Sequence, residues 1–99
     1  MQHQSAQFEV KVALLPAALS GKASALVNGY RPNHKHPLTG EYFMGQFSTD
    51  GPVEPGQQAV VRVTVLASAE QIAQLQQFGS WTIWEGPRHV GSVQLLRSV

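Results

Sequence analysis

The run AVVRVTVLA, residues 59–67, decides the fold class. Val61, Val63 and Val65 fall on one side of an extended chain, and Val60, Arg62, Thr64 and Leu66 fall on the other. Successive strand side chains point to opposite faces, so this run reads as a strand with one buried face. FEVKVALL, residues 8–15, repeats the pattern, with Phe8, Val10, Val12 and Leu14 opposed to Glu9, Lys11 and Ala13. Residues 1–7, MQHQSAQ, are polar and read as a flexible lead-in to a single domain over 8–99.

Beyond the valine run the period changes. In SAEQIAQLQQFG, Ser68 followed by Gln71 is a capping-box signature, Ile72 and Leu75 share a helical face, and Gly79 suits a helix end. This predicts a short helix over 68–78. SWTIWEGPRHVGSVQLLRSV then reads as two strands joined at Glu85-Gly86-Pro87-Arg88. A positive φ at Gly86 and the fixed φ of Pro87 fit a type II′ hairpin turn.

Upstream, EYFMGQFST predicts a strand carrying Tyr42, Met44 and Phe47 with a bulge at Gly45. Ala25–Val27 predicts a short strand before Asn28-Gly29, a turn dipeptide whose residues both tolerate positive φ. About six short strands and one helix result, an all-β pattern. Closing the sheet into a barrel removes two exposed edges, which favours closure over a sandwich.

A chain of 99 residues makes one core. Its 42% hydrophobic and 13% charged content belongs to a globular domain. Without cysteine, disulfides and thiolate-ligated metal are excluded. The polar start carries no secretory signal and no apolar run is long enough to span a membrane, so the expectation is a cytoplasmic protein without membrane contact. Net charge is +1, yet it is unevenly spread. Lys11, Lys22, Arg31 and Lys35 precede Gly40 without an acid from Val10 onward, whereas Glu41, Asp50, Glu54, Glu70 and Glu85 then face only Arg62. Such asymmetry can create a weak anion-facing side.

VNGYRPNHKHPLTG, residues 27–40, gathers the chemistry-bearing side chains. His34 and His36 on a strand would share a face, as zinc or copper ligands must. With no thiolate and no nearby carboxylate, the reading is an exposed polar loop, with no metal and no cofactor. Tyr30 is expected to pack a barrel end and Arg31 to pair with an acid such as Glu54. Trp81 and Trp84 are an odd number of positions apart, which puts one in the core and leaves Trp84 as an exposed aromatic anchor. No nucleophile elbow and no paired acids occur, so no catalytic residue is assigned.

Phe8-Glu9-Val10, Asn28-Gly29-Tyr30-Arg31-Pro32, Leu38-Thr39-Gly40, Val53-Glu54-Pro55-Gly56 and Trp84-Glu85-Gly86-Pro87-Arg88-His89-Val90-Gly91 follow one another in an order that resembles the C-terminal β-barrel of elongation factor Tu. The resemblance spans about residues 8–98. It implies a six-stranded antiparallel Greek-key closed barrel, here without the family's GTPase domain, since nothing matches the phosphate-binding loop. It further implies contact with tRNA-type RNA: Lys22 to a phosphate, Asn33 and Thr39 to 2′-hydroxyls, and Glu85-Gly86 at the hairpin.

Two binding readings follow, neither enzymatic and neither requiring DNA. The first is RNA binding through Lys22, Arg31, Asn33, Lys35, Thr39 and Glu85. The second is protein–protein interaction linked to the translation machinery, through Trp84, the hairpin residues Glu85, Gly86 and Arg88, and the 68–78 segment. A net charge near zero favours the second.

Overall fold

The computed structural model describes residues 3–99. Its elements are β1 (His3–Leu14), α1 (Ala17–Ser20), β2 (Asn33–Lys35), β3 (Tyr42–Ser48), β4 (Gln58–Ser68), α2 (Ala69–Phe78), β5 (Ser80–Glu85) and β6 (Arg88–Ser98). The strands close into a barrel in the order β1-β4-β3-β2-β5-β6, every pair antiparallel. β2, β3 and β4 form a meander, and β5 crosses back to lie beside β2, which is a Greek key.

The alternation in the sequence fixes which side of each strand faces in. Val61, Val63 and Val65 of β4 meet Phe8, Val10 and Val12 of β1, all buried. Trp81, Ile83, Val90 and Val93 complete that side of the core. α2 begins at Ser68, whose hydroxyl accepts from the Gln71 N–H while the Gln71 side chain accepts from the Ser68 N–H. Ile72 and Leu75 turn inward, and Gly79 closes the helix in the left-handed region.

Several expectations change. β1 begins at His3, not Phe8, because β4 runs on to Ser68 and pairs with residues from His3 onward; residues 1 and 2 of the expected lead-in lie outside the described residues. Ala25–Val27 contributes a single bridge, Leu26 to Val53, and the sixth strand is Asn33–Lys35 instead. Pro32 and Pro37 bracket this strand and hold it to three residues. At Asn28-Gly29 only Gly29 takes a positive φ. Finally, β3 carries no bulge: Phe43, Gly45 and Phe47 face in, and Tyr42, Met44 and Gln46 face out.

Gly45 is required by packing. A Cβ there would lie 2.5 Å from Nε2 of His34. Both histidines expected in an exposed loop are in fact buried: β2 turns His34 toward the core, and His36, one residue past the strand, is buried beside it. Trp81 Nε1–H donates to His34 Nδ1 at 2.9 Å, and His34 Nε2–H donates to the Gly45 carbonyl at 3.1 Å. These roles require a neutral imidazole with its proton on Nε2. Continuing the β2–β3 register by one step sets Pro32 opposite Gly45. Proline has no N–H to offer that carbonyl, and the imidazole takes its place.

Burial pushes His34 down to about 4 from 6.5, with the Gly45 hydrogen bond offsetting part of the effect. Below pH 6.5 the unfolded chain therefore binds a proton that the folded chain refuses, and stability is lost as pH falls toward 4. Urea unfolding at pH 6.5 and pH 5 is expected to differ by about 2 kcal/mol from this group alone. His34→Gln, whose amide can serve both partners, should flatten the dependence; an equally steep variant would place the titrating group elsewhere. Gly45→Ala is expected to cost about 1–3 kcal/mol by overpacking the imidazole, read as a thermal midpoint about 4–8 °C lower per kcal/mol. An unchanged midpoint would refute the close packing.

Candidate binding face

The residues singled out by the sequence separate into an internal lock, a loop tip and an outer wall. The lock is built on Lys22 in the long connection from β1 to β2. Its side chain is only 6% exposed. The ammonium meets Glu85 Oε2 at 3.2 Å, donates to Ser24 Oγ at 3.0 Å and lies 4.7 Å from the centre of the Tyr30 ring. Tyr30 donates its hydroxyl proton to the same Glu85 oxygen. Burial opposes the charge on Glu85, but the hydrogen bonds from Tyr30 and Lys22 and the charges of Lys22 and Arg88 outweigh it. They hold the carboxyl below its ordinary range. Burial, then the bond to Glu85, raises the Tyr30 hydroxyl.

Arg88 belongs to the same assembly, donating from the hairpin to the Gly21 carbonyl of the β1–β2 connection at 3.0 Å. Gly86 holds the turn with φ +58°. Lys22, expected to meet a phosphate, is thus paired with Glu85 in this structure. Tyr30 is half-buried and stacks on Phe47, packing the barrel end as expected.

Thr39 stands apart, exposed on the loop between β2 and β3. His36 organises that loop from inside: its Nδ1 accepts from the Leu38 and Thr39 N–H groups at 3.2 and 3.3 Å. His36 Nε2 is buried without a partner among the described residues.

The outer wall is made by β5, β2, β3 and β4, whose registers align outward residues in rows. Trp84, Asn33, Met44 and Leu66 pair in succession across the four strands. Thr82, Lys35 and Tyr42 form the adjacent row on three of them. Trp84 is half-buried and held flat: Nε1–H donates to Thr82 Oγ1 at 2.9 Å, the indole stacks on His89 at 5.0 Å, and Lys35 Nζ sits 4.7 Å from the ring centre. Tyr42 and Met44 are more than half exposed. Arg31 is also exposed, and it lines two shallow hollows that flank Met44. The pair expected with Glu54 does not form; the ion pairs among the described residues are Lys22–Glu85 and Arg97–Glu9.

The fold therefore brings Arg31, Asn33, Lys35 and Trp84 together, and places Lys22, Glu85, Gly86 and Arg88 in the lock. Sequence reasoning missed Tyr42, Met44, Leu66 and His89 as their neighbours. The signal was present: Phe43-x-Gly45-x-Phe47 is the inward alternation, which leaves Tyr42 and Met44 outside. Among the described residues no three histidine or acidic side chains are grouped to hold a metal, and no helix is long and apolar enough to cross a membrane. Compared with known proteins, the chain matches no family model and no curated relative.

The lock makes an asymmetric prediction. Glu85→Ala strands a buried ammonium and is expected to cost roughly 3 kcal/mol, as broken buried pairs do. Lys22→Met leaves a carboxylate that is 33% exposed and still bonded to Tyr30, so it should cost clearly less. Denaturant midpoints of the two variants check the order, and a reversal would show that the ammonium is not the buried partner.

Proposed function

We propose that the chain is a non-catalytic binding module that docks a protein through the outer wall formed by β2, β3, β4 and β5. The carrying observation is the row Trp84-Asn33-Met44-Leu66, with Tyr42 beside it and Arg31 at its flank. Tyr42 and Met44 are 51% and 55% exposed, and Leu66 is 38% exposed. Adjacent exposed apolar side chains on one wall mark an interaction site, and tryptophan, tyrosine and arginine are the residue types that dominate binding energy. Methionine adds an adaptable contact.

The non-catalytic reading is supported by where the titratable groups go. Lys22, Glu85 and Tyr30 hold one another, and His34 is consumed in the core. RNA of the tRNA type is the second reading. Lys35 over Trp84 favours it, since a cation beside an aromatic platform suits a nucleotide. It loses ground because Lys22 and Glu85 are already paired. The likeness in sequence to the elongation factor Tu barrel makes the translation machinery of the cytoplasm the place to look for the partner.

A photo-crosslinking amino acid at position 44 tests the proposal in living cells. Protein adducts are expected from position 44 and not from position 94, an exposed site on β6. Adducts to RNA alone, or equal yields from both positions, would overturn protein docking at this wall.

A further inference from the structure

The docking wall has a chemical bias that specifies its occupant further. Three rows of outward residues cross it. One is Thr82-Lys35-Tyr42, the next Trp84-Asn33-Met44-Leu66, and the third Gln46-Thr64, with Arg31 beside Gln46 by continuation of the β2–β3 register. These rows hold two cations and no acid. Arg31 is exposed and outside both ion pairs, and Lys35 is engaged only with the Trp84 ring. The neighbouring acids do not neutralise them. Glu85 is bound to Lys22 and Tyr30, and Glu41 immediately precedes β3 and makes no ion pair among the described residues.

The hollows beside Met44 have volumes of about 320 and 220 Å³. Arg31, Met44 and Gly45 line both, with Tyr42 and Asn33 bordering the first and Leu66 and Thr64 the second. They lie at or below the lower end of the roughly 300–1,000 Å³ of small-molecule sites. Each suits one side chain of a polypeptide better than a whole ligand. Two cations neutralise few phosphates and so contribute little of the counterion release that drives nucleic-acid binding. Met44 and Leu66 offer no flat face on which a base could stack, and Trp84 is already covered by His89 and Lys35, which leaves Tyr42 as the more exposed ring of the rows.

We infer that the partner presents an acidic segment carrying apolar side chains, which seat in the hollows flanking Met44 while its carboxylates meet Arg31 and Lys35. This rests on the docking reading given above and adds the sign and character of the docked segment. Arginine matches a carboxylate bidentately, so Arg31, between the two hollows, fixes the register of the segment. Lys35 is held over the indole and adds charge without that directionality.

Binding of two synthetic peptides tests the inference: one alternates glutamate with leucine and phenylalanine, and the other has lysine in place of every glutamate. Trp84 fluorescence reports docking against the constant signal of buried Trp81. The acidic peptide is expected to bind and the lysine peptide not. Arg31→Glu should weaken the acidic peptide about tenfold, and Arg31→Glu with Lys35→Glu should transfer preference to the lysine peptide. Arg31→Gln serves as a milder variant, and circular dichroism checks that each variant remains folded. Equal binding of the two peptides, or of neither, would overturn the acidic segment, and protein adducts at position 44 would in that case still leave docking standing. Tight binding of oligouridine with no binding of the acidic peptide would assign the wall to nucleic acid. Self-association abolished by Met44→Glu, again without peptide binding, would assign it to a second copy of the chain; either assignment overturns the inference.

Discussion

The closure of this barrel depends on one imidazole. β2 is three residues long and must join β3 to β5, whereas β1, β4 and β6 are 12, 11 and 11 residues long. Three residues supply few ladder hydrogen bonds, and Pro32 removes a donor at the point where the strand would lengthen. His34 compensates from inside by accepting from Trp81 of β5 and donating to Gly45 of β3. A side chain thereby continues the cross-strand hydrogen bonding that the backbone cannot. The arrangement demands a glycine opposite the ring and a neutral ring, and both demands are met in a site fully removed from water. An aliphatic side chain would fill the volume but leave the Trp81 N–H and the Gly45 carbonyl unmet, at about 1–3 kcal/mol for each buried group.

The long connection between β1 and β2 is the other weak point of a Greek key, since it must be held against the barrel without a strand of its own. Leu26 plugs the barrel interior through its bridge to Val53. Lys22 ties the connection to the β5–β6 hairpin, and Arg88 reaches back from that hairpin to Gly21. Charged residues that a loop would ordinarily show to solvent are thus used for assembly. An ion pair of this kind gives modest net stability, because removing the ammonium from water opposes the attraction. Its larger effect is positional: it sets where the loop and hairpin meet.

What the sequence made legible followed strictly from local rules. β1, β4 and the β5–β6 hairpin carry long period-two signals, and α2 carries a cap at each end, so periodicity and capping located them. β2 was illegible because three residues between prolines are too short for any period. Asn33-His34-Lys35 is polar throughout, and polarity argued for a loop. Its inward turn is imposed by partners 7 to 51 residues away in the chain, which no local rule sees. The burial of Lys22 was hidden for the same reason: its acceptor Glu85 is remote in sequence, and a lone lysine in a loop gives no sign of burial. Of the candidate face, Trp84 and Arg31 were visible as residue types, but their meeting with Met44 and Leu66 required the strand order.

The internal bond chain also bears on the outside of the same strands. In an extended strand, fixing one side chain inward fixes its neighbours outward. With His34 pinned between Trp81 and Gly45, Asn33 and Lys35 have no freedom to rotate into the barrel, and a slip of β2 by one residue would bury both in place of the imidazole. Gly45 plays the matching part on β3, since the ring resting on it holds Met44 outward. The exposed wall is consequently rigid where it is most apolar. In the docking proposed for this wall, a rigid face would lose little conformational freedom, so more of the contact energy of Trp84 and Met44 would remain as affinity. The residues that help close the barrel are in this way the ones that fix which side chains its outer face presents.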